Sequence, residues 1–557
     1  MMDDATRYLD VIIVGGGPIG LTTGCALRHH GVECLILEQR AEPKPYSRAN
    51  NLWARPQELL ASVGLRDALA AQAYTVGRIN SVFFGKPDAP IAVDEAGSPF
   101  PSVLYSGQDV IEKTLTDTFV ERGGTLRRGT RVLDITEVDG GVRVSVTDDP
   151  DSEVADEILH CRYLIGADGN EGGVRKAIAA DFATEAFEGR MNRQVDARLT
   201  WRRPTDPDQL WFFYYETGFC GIMPVWGGYH RLFFLQSDEG VPDRDPTLEE
   251  IQHLAREVTG DDSVTLSDPI WSTHSRFKHG VAPHYAKGRV FLVGDAGHFT
   301  LPIGGQGMNA GFHDAVEIAW RLAMQFNGAA GDAVLASYDG ERQGEHSRLD
   351  KQQARAFRQL MYRGRVADVA MEAASRIVPN LGSLIQGTND LQQIDVSYPD
   401  SLLNAEHMGV LDRLLHRGEP RAGDRAPDAN VRQPDGTTGK LFDYIYNPDG
   451  LSWGWSLFAF DGGSADLPAS LGDTFARLST WSFVKPRLVL SNPQGQAVAG
   501  VTSLFDLDSH AHRAFRLEGR PALVVIRPDG HIAFRAPLDR QDLLDAFCTA
   551  TFTAPGR

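Results

Sequence analysis

Apolar residues in this chain come in short bursts that stop on glycine. The run 11–14 leads into Gly15-Gly16-Gly17-Pro18-Ile19-Gly20, the run 163–165 into Gly166-Ala167-Asp168-Gly169, and the run 290–293 into Gly294-Asp295. Each burst has strand length, and the glycines mark tight turns at its end. The first predicts a strand over 10–14, a glycine turn, a helix over about 19–30 and a second strand over 33–37. Strand and helix patterns alternate through residues 1–180. From 181 to about 275 the pattern becomes consecutive strands, 192–200, 209–215, 219–225 and 230–236, crowded with aromatics from Trp211 to Phe234. They predict an antiparallel sheet with one covered face. Helical spacing returns at Ala315, Ile318, Ala319, Leu322, Ala323 and Phe326, predicting a helix over 314–326 and more helix to about residue 390. The Pro/Gly-rich, charged stretch 418–428 predicts a linker or an extended lead-in. Beyond it, strands at 456–460, 487–490 and 522–526, a turn at Arg527-Pro528-Asp529-Gly530 into 531–535, and a helix over 540–549 predict a smaller α/β unit.

Composition bounds the partners more than the fold. At 557 residues the chain exceeds one core and predicts two or three domains. Its 55 Lys+Arg against 74 Asp+Glu leave a formal charge of −19, which argues against nucleic acid and anionic membrane as partners. No apolar run reaches the ~20 residues of a membrane span, and the acidic N-terminus has no apolar signal-peptide core. Cys25, Cys34, Cys161, Cys220 and Cys548 show no C-x-x-C and no metal spacing. The expectation is a reduced, cytoplasmic protein with no metal.

The first glycine turn is chemically legible. Gly15 permits the turn, Gly17 lets backbone approach a pyrophosphate, and Gly20 lets helix and strand pack closely. The pyrophosphate sits on the N-terminal N–H groups of the helix that Pro18 and Ile19 open. Glu38, about 20 residues on, ends the second strand where a carboxylate accepts from a ribose. It disfavours a 2′-phosphate, so the turn reads as a site for FAD or NAD. There is no second such fingerprint after a strand, so no second Rossmann domain for NAD(P)H is expected.

The glycine turn, Glu38-Gln39-Arg40, Ser47-Arg48-Ala49, the segment 166–175 and the segment from Gly294 through Pro302-Ile303-Gly304-Gly305-Gln306-Gly307-Met308-Asn309 to Ala323 together resemble the single-component (class A) FAD-dependent aromatic hydroxylases, the para-hydroxybenzoate hydroxylase-like family. The likeness runs from residue 10 to about 400. The tail, with its 422–428 lead-in and 527–535 hairpin, resembles that of the phenol hydroxylase and aromatic-polyketide hydroxylase branch. The implied fold is α/β: a Rossmann-like FAD-binding domain (1–180 and 276–400, the latter with added helices), an inserted antiparallel β-sheet substrate domain (181–275), a linker (401–428), and a thioredoxin-like domain (429–557) without C-x-x-C. FAD is then held by Gly15, Gly17, Pro18, Ile19, Gly20, Glu38, Gln39 and Arg40. In the family, the position of Arg48 lies near the pyrophosphate and mobile flavin, that of Gln108 contacts the flavin at a helix start, and that of Val132 meets the adenine through its backbone. Asp168 and Gly169 serve FAD and the approach of NAD(P)H. Asp295 matches a ribityl contact, and Pro302, Gly305, Gln306, Gly307, Met308 and Asn309 match the loop against the ring. Arg48 and Pro302 are the candidate catalytic residues. Arg48 and Arg175 are candidate contacts for the phosphates of the nicotinamide cofactor. The chain departs from the family pattern at Gly172, where a serine is usual, at Gly297, where alanine is usual, at Leu301, where Pro-Pro is usual, and at Glu317, where asparagine is common.

The resemblance implies NADPH or NADH reducing FAD, O₂ adding at flavin C4a, and the hydroperoxide hydroxylating an electron-rich ring. A phenol is the natural substrate, here a polycyclic, polyketide-like one. Tyr105, Tyr214, Ile222 and His230 are the candidate substrate residues, and Tyr105, Tyr214 and His230 the candidate phenol-activating groups. His298 is expected to be structural. Baeyer–Villiger oxygenation, a halogenase-like two-component enzyme, a plain reductase or dehydrogenase, and a flavin-binding scaffold are the alternatives. A monomer or homodimer is expected.

Overall fold

In a computed structural model, the chain is described for residues 8–43, 49–93, 97–216, 218–301, 303–362, 392–409, 418–463, 467–478, 480–493 and 497–553. Its first sheet runs Arg131–Val138, Gly141–Thr147, Glu157–Gly166, Leu9–Val14, Cys34–Glu38, Thr125–Arg128 in spatial order. Val290–Leu292 adds in parallel beside the end of Glu157–Gly166. Leu9–Val14 is parallel to both its neighbours and buries Val11–Val14 on both faces, as a central strand covered by helices must. Registers bring the three glycine signatures together. Val14 pairs with Gly166, and Gly166 with Leu292. All three runs therefore end at one carboxyl edge of the sheet, where open α/β sheets bind ligands.

The expected elements match to within a few residues: Leu9–Val14, Pro18–His29 and Cys34–Glu38 in the first unit. The helix predicted over 314–326 spans Gln306–Phe326. Its first residues, Gln306, Gly307 and Met308, line a cavity and carry no apolar spacing. The helix Asp332–Met361 follows it, and the expected helix beyond falls largely outside the described residues.

The second sheet runs His298–Phe299, Thr265–Val281, Glu185–Thr200, Tyr229–Ser237, Gly218–Val225, Gln209–Tyr215, Arg78–Phe83, Lys86–Pro87. Arg78–Phe83 lies inside the expected first unit (1–180), yet it pairs in parallel with Gln209–Tyr215. Its half-apolar pattern says strand without saying which sheet. Strand alternation divides the residues of this sheet. Val195, Phe213, Cys220, Ile222, Leu232 and Phe234 pack with Ile251 and Ala255 of the helix Leu248–Thr259. The opposite face turns toward the first domain.

A third, eight-stranded sheet takes the chain's last part, with Trp455–Phe460 central, parallel to Val484–Leu490 and antiparallel to Ala522–Ile526. The described parts of 401–428, expected as a linker, are bound to it. Ala405–Glu406 is its edge strand, Gly423 N–H donates to Ile532 O at 2.7 Å, and Ala426 N–H donates to Gly530 O at 2.9 Å. Pro/Gly-rich composition marks irregular backbone, which here is anchored backbone.

Candidate functional site

At the carboxyl edge of the first sheet, Gly15 sits at φ +111°, and a Cβ there would strike the Ala167 backbone. That close approach seals the first turn against the second signature. Gly20 packs likewise on Gly15 O and Ala167, so its role is packing. Gly17, by contrast, has nothing within 4 Å of a Cβ, and it caps the helix Pro18–His29 without any side-chain hydrogen bond. The first N–H groups of that helix have no acceptor within the helix and present positive potential. Glu38 is buried, accepting from Gly16 N–H at 2.7 Å and from Arg40 N–H at 2.9 Å.

A cavity of about 1930 Å³ starts here. Gly15, Gly17, Pro18, Ile19, Glu38, Gln39, Arg40, Gln108, Val132, Asp168, Gly169, Asp295, Gly305, Gln306, Gly307 and Met308 all line it. These sequence-predicted residues come from six separate segments. Burial holds the Asp168 carboxyl above its ordinary range; its Oδ2 accepts from Val174 N–H at 3.0 Å, and its Oδ1 has no partner. Gln108 opens the helix Gln108–Glu121, its Oε1 accepting from Ala49 N–H at 3.3 Å.

The third signature forms the far wall. Gly305, at φ +64°, caps the helix Gln306–Phe326 without a side-chain hydrogen bond, so this helix also directs unsatisfied N–H groups at the cavity. Asn309 does not line the cavity. It is fully buried, accepting from Trp53 N–H at 3.0 Å and donating to Asn51 O at 3.0 Å and Gly305 O at 2.7 Å. Trp53 Nε1 donates to Gly304 O at 2.7 Å. Asn309 thus holds the loop in shape rather than meeting a ligand through its side chain. Arg48 and Pro302, the two candidate catalytic residues, lie outside the described residues.

Two departures from the family pattern have local reasons. A Cβ at Gly172 would fall on the Asp168 carboxyl group, and one at Gly297 would come within 2.6 Å of the Tyr285 ring. The space of the missing side chains is already filled. Arg175 is committed elsewhere, donating to Ala296 O at 3.0 Å and lying 4.9 Å from the Phe182 ring centre. His298 is fully buried, with Nε2 3.3 Å from Asp314 Oδ2, a structural setting.

The cavity continues between the third signature and the second sheet. Tyr105, Phe212, Tyr214, Phe219, Met223 and Phe233 line it, and Tyr105 and Tyr214 are both 4% exposed. Ile222 and His230 do not. Their neighbours Met223 and Arg231 line the cavity, and strand alternation sends Ile222 into the core under the helix Leu248–Thr259. A one-residue offset decides this, and aromatic density alone does not reveal it. Burial pulls His230 down to about 4, so it is neutral at physiological pH. Burial raises the Tyr105 hydroxyl well above the ordinary phenol range, so it stays protonated.

The sequence reading missed one group. Arg231, 2% exposed, makes a two-pronged ion pair with Asp196, Nε to Oδ1 at 2.8 Å and an Nη to Oδ2 at 2.7 Å, and Trp271 Nε1 donates to Asp196 Oδ2 at 3.0 Å. Arg231 and Trp271 line the cavity. A charged residue in a predicted strand facing an aromatic wall was the available signal.

The donor set fits a dinucleotide: an open glycine face on a helix N-terminus, a carboxylate at the ribose distance along the chain, and a second helix N-terminus at the far end. Comparison with known proteins agrees. Residues 8–351 match a family described as FAD binding domain. A rifampicin monooxygenase of Streptomyces venezuelae is 33% identical over 341 residues, 60% of this chain and 68% of the relative. The 12-dehydrotetracycline 5-monooxygenase/anhydrotetracycline 6-monooxygenase of Streptomyces rimosus is 28% identical over 551 residues, 95% of each chain. The solved anhydrotetracycline hydroxylase of Streptomyces rimosus superposes with a TM-score of 0.71 at 26% identity, covering 99% of this chain and 100% of its own. The chain belongs to the FAD-binding monooxygenase family.

Proposed function

We propose that this member of the FAD-binding monooxygenases hydroxylates a polycyclic phenol of polyketide type, with NADPH or NADH as reductant and O₂ as co-substrate. The cavity carries this reading. Pockets for one drug-sized ligand run to roughly 300–1,000 Å³. The volume of about 1930 Å³ has room for a dinucleotide and a multi-ring substrate together. The relatives named for tetracycline intermediates and rifampicin act on molecules of that kind.

Glu38, Arg40 and Val132 would hold the adenosine end of FAD, Gly17 and the helix start at Pro18 and Ile19 its pyrophosphate, Asp168 and Asp295 the chain beyond it, and Gly305–Met308 its ring. Bound FAD supplies the electrons taken from NAD(P)H and the activation of O₂. The chain's own residues position and desolvate. Phe212, Tyr214, Phe219 and Phe233 offer faces and edges to a flat ring and exclude water. Arg231 sets a guanidinium in that wall and favours an ionised phenol. Tyr105, kept protonated, serves as a hydrogen-bond donor rather than a base. Arg48 and Pro302 keep their roles by resemblance.

Baeyer–Villiger and halogenase readings are not favoured. The solved relative of Streptomyces rimosus is a hydroxylase, and the Trp453-Gly454-Trp455 run belongs to the last unit, with Trp455 fully buried. A thioredoxin-like reading of 429–557 is supported by a four-strand order in which Trp455–Phe460 lies between Val484–Leu490 and Ala522–Ile526, with Ile532–Pro537 outside the latter. Its cysteine content leaves a structural role, in a monomer or homodimer. Among the described residues no helix is long and apolar enough to cross a membrane.

The test is anaerobic flavin reduction by NADPH and NADH, with and without mono- and polycyclic phenols. A polycyclic phenol should accelerate reduction and, in air, be recovered with one added oxygen. FAD-loaded protein that neither nicotinamide reduces would overturn the proposal.

A further inference from the structure

The cavity wall holds two buried carboxamides whose oxygens have no partner. Asn192, 4% exposed, donates through Nδ2 to Ser275 Oγ at 3.2 Å and leaves Oδ1 unmatched. Gln353, 5% exposed, donates through Nε2 to Gln306 Oε1 at 2.9 Å and leaves Oε1 unmatched. Both residues line the cavity. They belong to different elements, the strand Glu185–Thr200 and the helix Asp332–Met361. Those elements meet at one end of the second sheet. Leu235, directly across the strand pair from Asn192, packs in one cluster with Phe277, Leu301, Ala354 and Phe357. Ala354 and Leu301 flank Gln353 and the third signature respectively, so the pair stands beside the flavin-facing loop.

Leaving a buried acceptor unmatched is costly, and native proteins rarely do so without a ligand or water to satisfy it. In each residue a neighbouring side chain takes the amide N–H, and the oxygen is the end left. What remains is an acceptor, and an acceptor selects a donor. Within an aromatic chamber the matching donor on a flat substrate is a ring hydroxyl. We infer that Asn192 and Gln353 form a subsite that accepts hydrogen bonds from hydroxyl groups of the substrate, which is therefore a ring system bearing several hydroxyls. The inference rests on the monooxygenase reading above. Gln306 is the first residue of the helix behind the flavin loop, so a hydroxyl on Gln353 is tied through one further hydrogen bond to that loop. The subsite orients the ring as well as selecting it.

The test is calorimetric titration of the FAD-loaded enzyme with 2,3-dihydroxynaphthalene and 1,2-dihydroxyanthraquinone, and with the dimethyl ether of each. The diols should bind about tenfold or more tightly than the ethers. Gln353→Leu and Asn192→Leu should each erase most of that preference, with FAD content and melting temperature held. Gln353→Glu, which keeps an acceptor, should retain it. If a leucine variant fails to load FAD, Gln353→Ala and Asn192→Ala take its place. Diols and ethers binding alike, no diol binding, or an undiminished preference in the leucine variants would each overturn the subsite. Flavin reduction by NADPH in the same preparations separates the two readings. Normal reduction without diol preference sinks the subsite alone, whereas failed reduction sinks the monooxygenase reading.

Discussion

Gly172 and Tyr105 show how much one side chain can decide. Restoring the family's serine by Gly172→Ser would drive a Cβ into the Asp168 carboxyl. Overpacking of this kind costs ~1–3 kcal/mol. The variant should therefore lose FAD content and melt earlier, as read from the flavin-to-protein absorbance ratio and a thermal scan. Tyr105→Phe removes a hydroxyl that burial keeps protonated. It should raise KM for a phenol several-fold, by the loss of a hydrogen bond worth ~0.5–1.5 kcal/mol. The pH profile of kcat/KM should not move, because Tyr105 does not ionise in the working range. A profile displaced by the substitution would make Tyr105 a proton-transfer group instead. At this scale the glycine turns and Glu38 were readable from spacing alone. Ile222 and His230 were not, because alternation fixes which residues share a face but not which face meets the ligand.

Elements turn such residues into devices. The strands Glu185–Thr200 and Tyr229–Ser237 place Asp196 opposite Arg231 in register, which is why a buried ion pair forms across them. Asp196→Asn would leave a buried guanidinium uncompensated, a change that costs about 3–5 kcal/mol. Urea unfolding should show that loss, and substrate affinity should fall with it. Beside the last sheet, His512 of the helix His510–Ala514 lies with Nε2 3.0 Å from Asp461 and Nδ1 2.7 Å from Asp506. Burial alone would lower its pKa, but hydrogen bonds and attraction from the two carboxylates raise it to about 9. The folded value lies above the unfolded ~6.5. The contribution is therefore complete below pH 6.5 and lost as pH rises through 9. Melting temperature should fall across that window, and His512→Gln should lower it at pH 6 and flatten the fall. No sequence pattern announced this pair of carboxylates, which come from separate turns.

The whole molecule is joined by a buried ionic network. Arg321 of the helix Gln306–Phe326 bonds Glu317 at 2.5 Å and Glu341 at 2.5 Å, and Glu341 bonds Arg527 of the last unit at 2.8 Å. Arg55 reaches Glu58 at 3.0 Å and Tyr446 Oη at 2.6 Å, and Arg425 also binds Glu58. The last unit thereby grips the helices Gln306–Phe326, Asp332–Met361 and Ala54–Ser62. Glu317, where the family commonly has asparagine, is a member of this network. Burial and the nearby Asp529 carboxylate push it up to about 7, against the pull of Arg321 and Arg527. A carboxyl raised in the folded state stabilises fully below its unfolded value, and that stability is lost as pH rises through 7. Wild-type unfolding free energy should decline between about pH 4.5 and 7, by up to about 1.4 kcal/mol per pH unit, and the melting temperature with it. Glu317→Gln, neutral at every pH, should abolish the decline below pH 6.5, where His512 does not yet contribute to it. A decline that persists in the variant would place the titrating group elsewhere.

Local order along the chain was enough for the strands, the glycine turns, the dinucleotide and the family, because those depend on short-range spacing that any folded copy must respect. The convergence of residues 14, 166 and 292 on one sheet edge could be expected from the motif order, but only strand register made it so. Three things lay beyond reach. They are the transfer of Arg78–Phe83 to the second sheet, the anchoring of the described parts of 401–428, and the unmatched oxygens of Asn192 and Gln353. Each rests on contacts between residues 47 or more positions apart, where pairing is settled by which surfaces remain to be buried, and no local pattern records that competition.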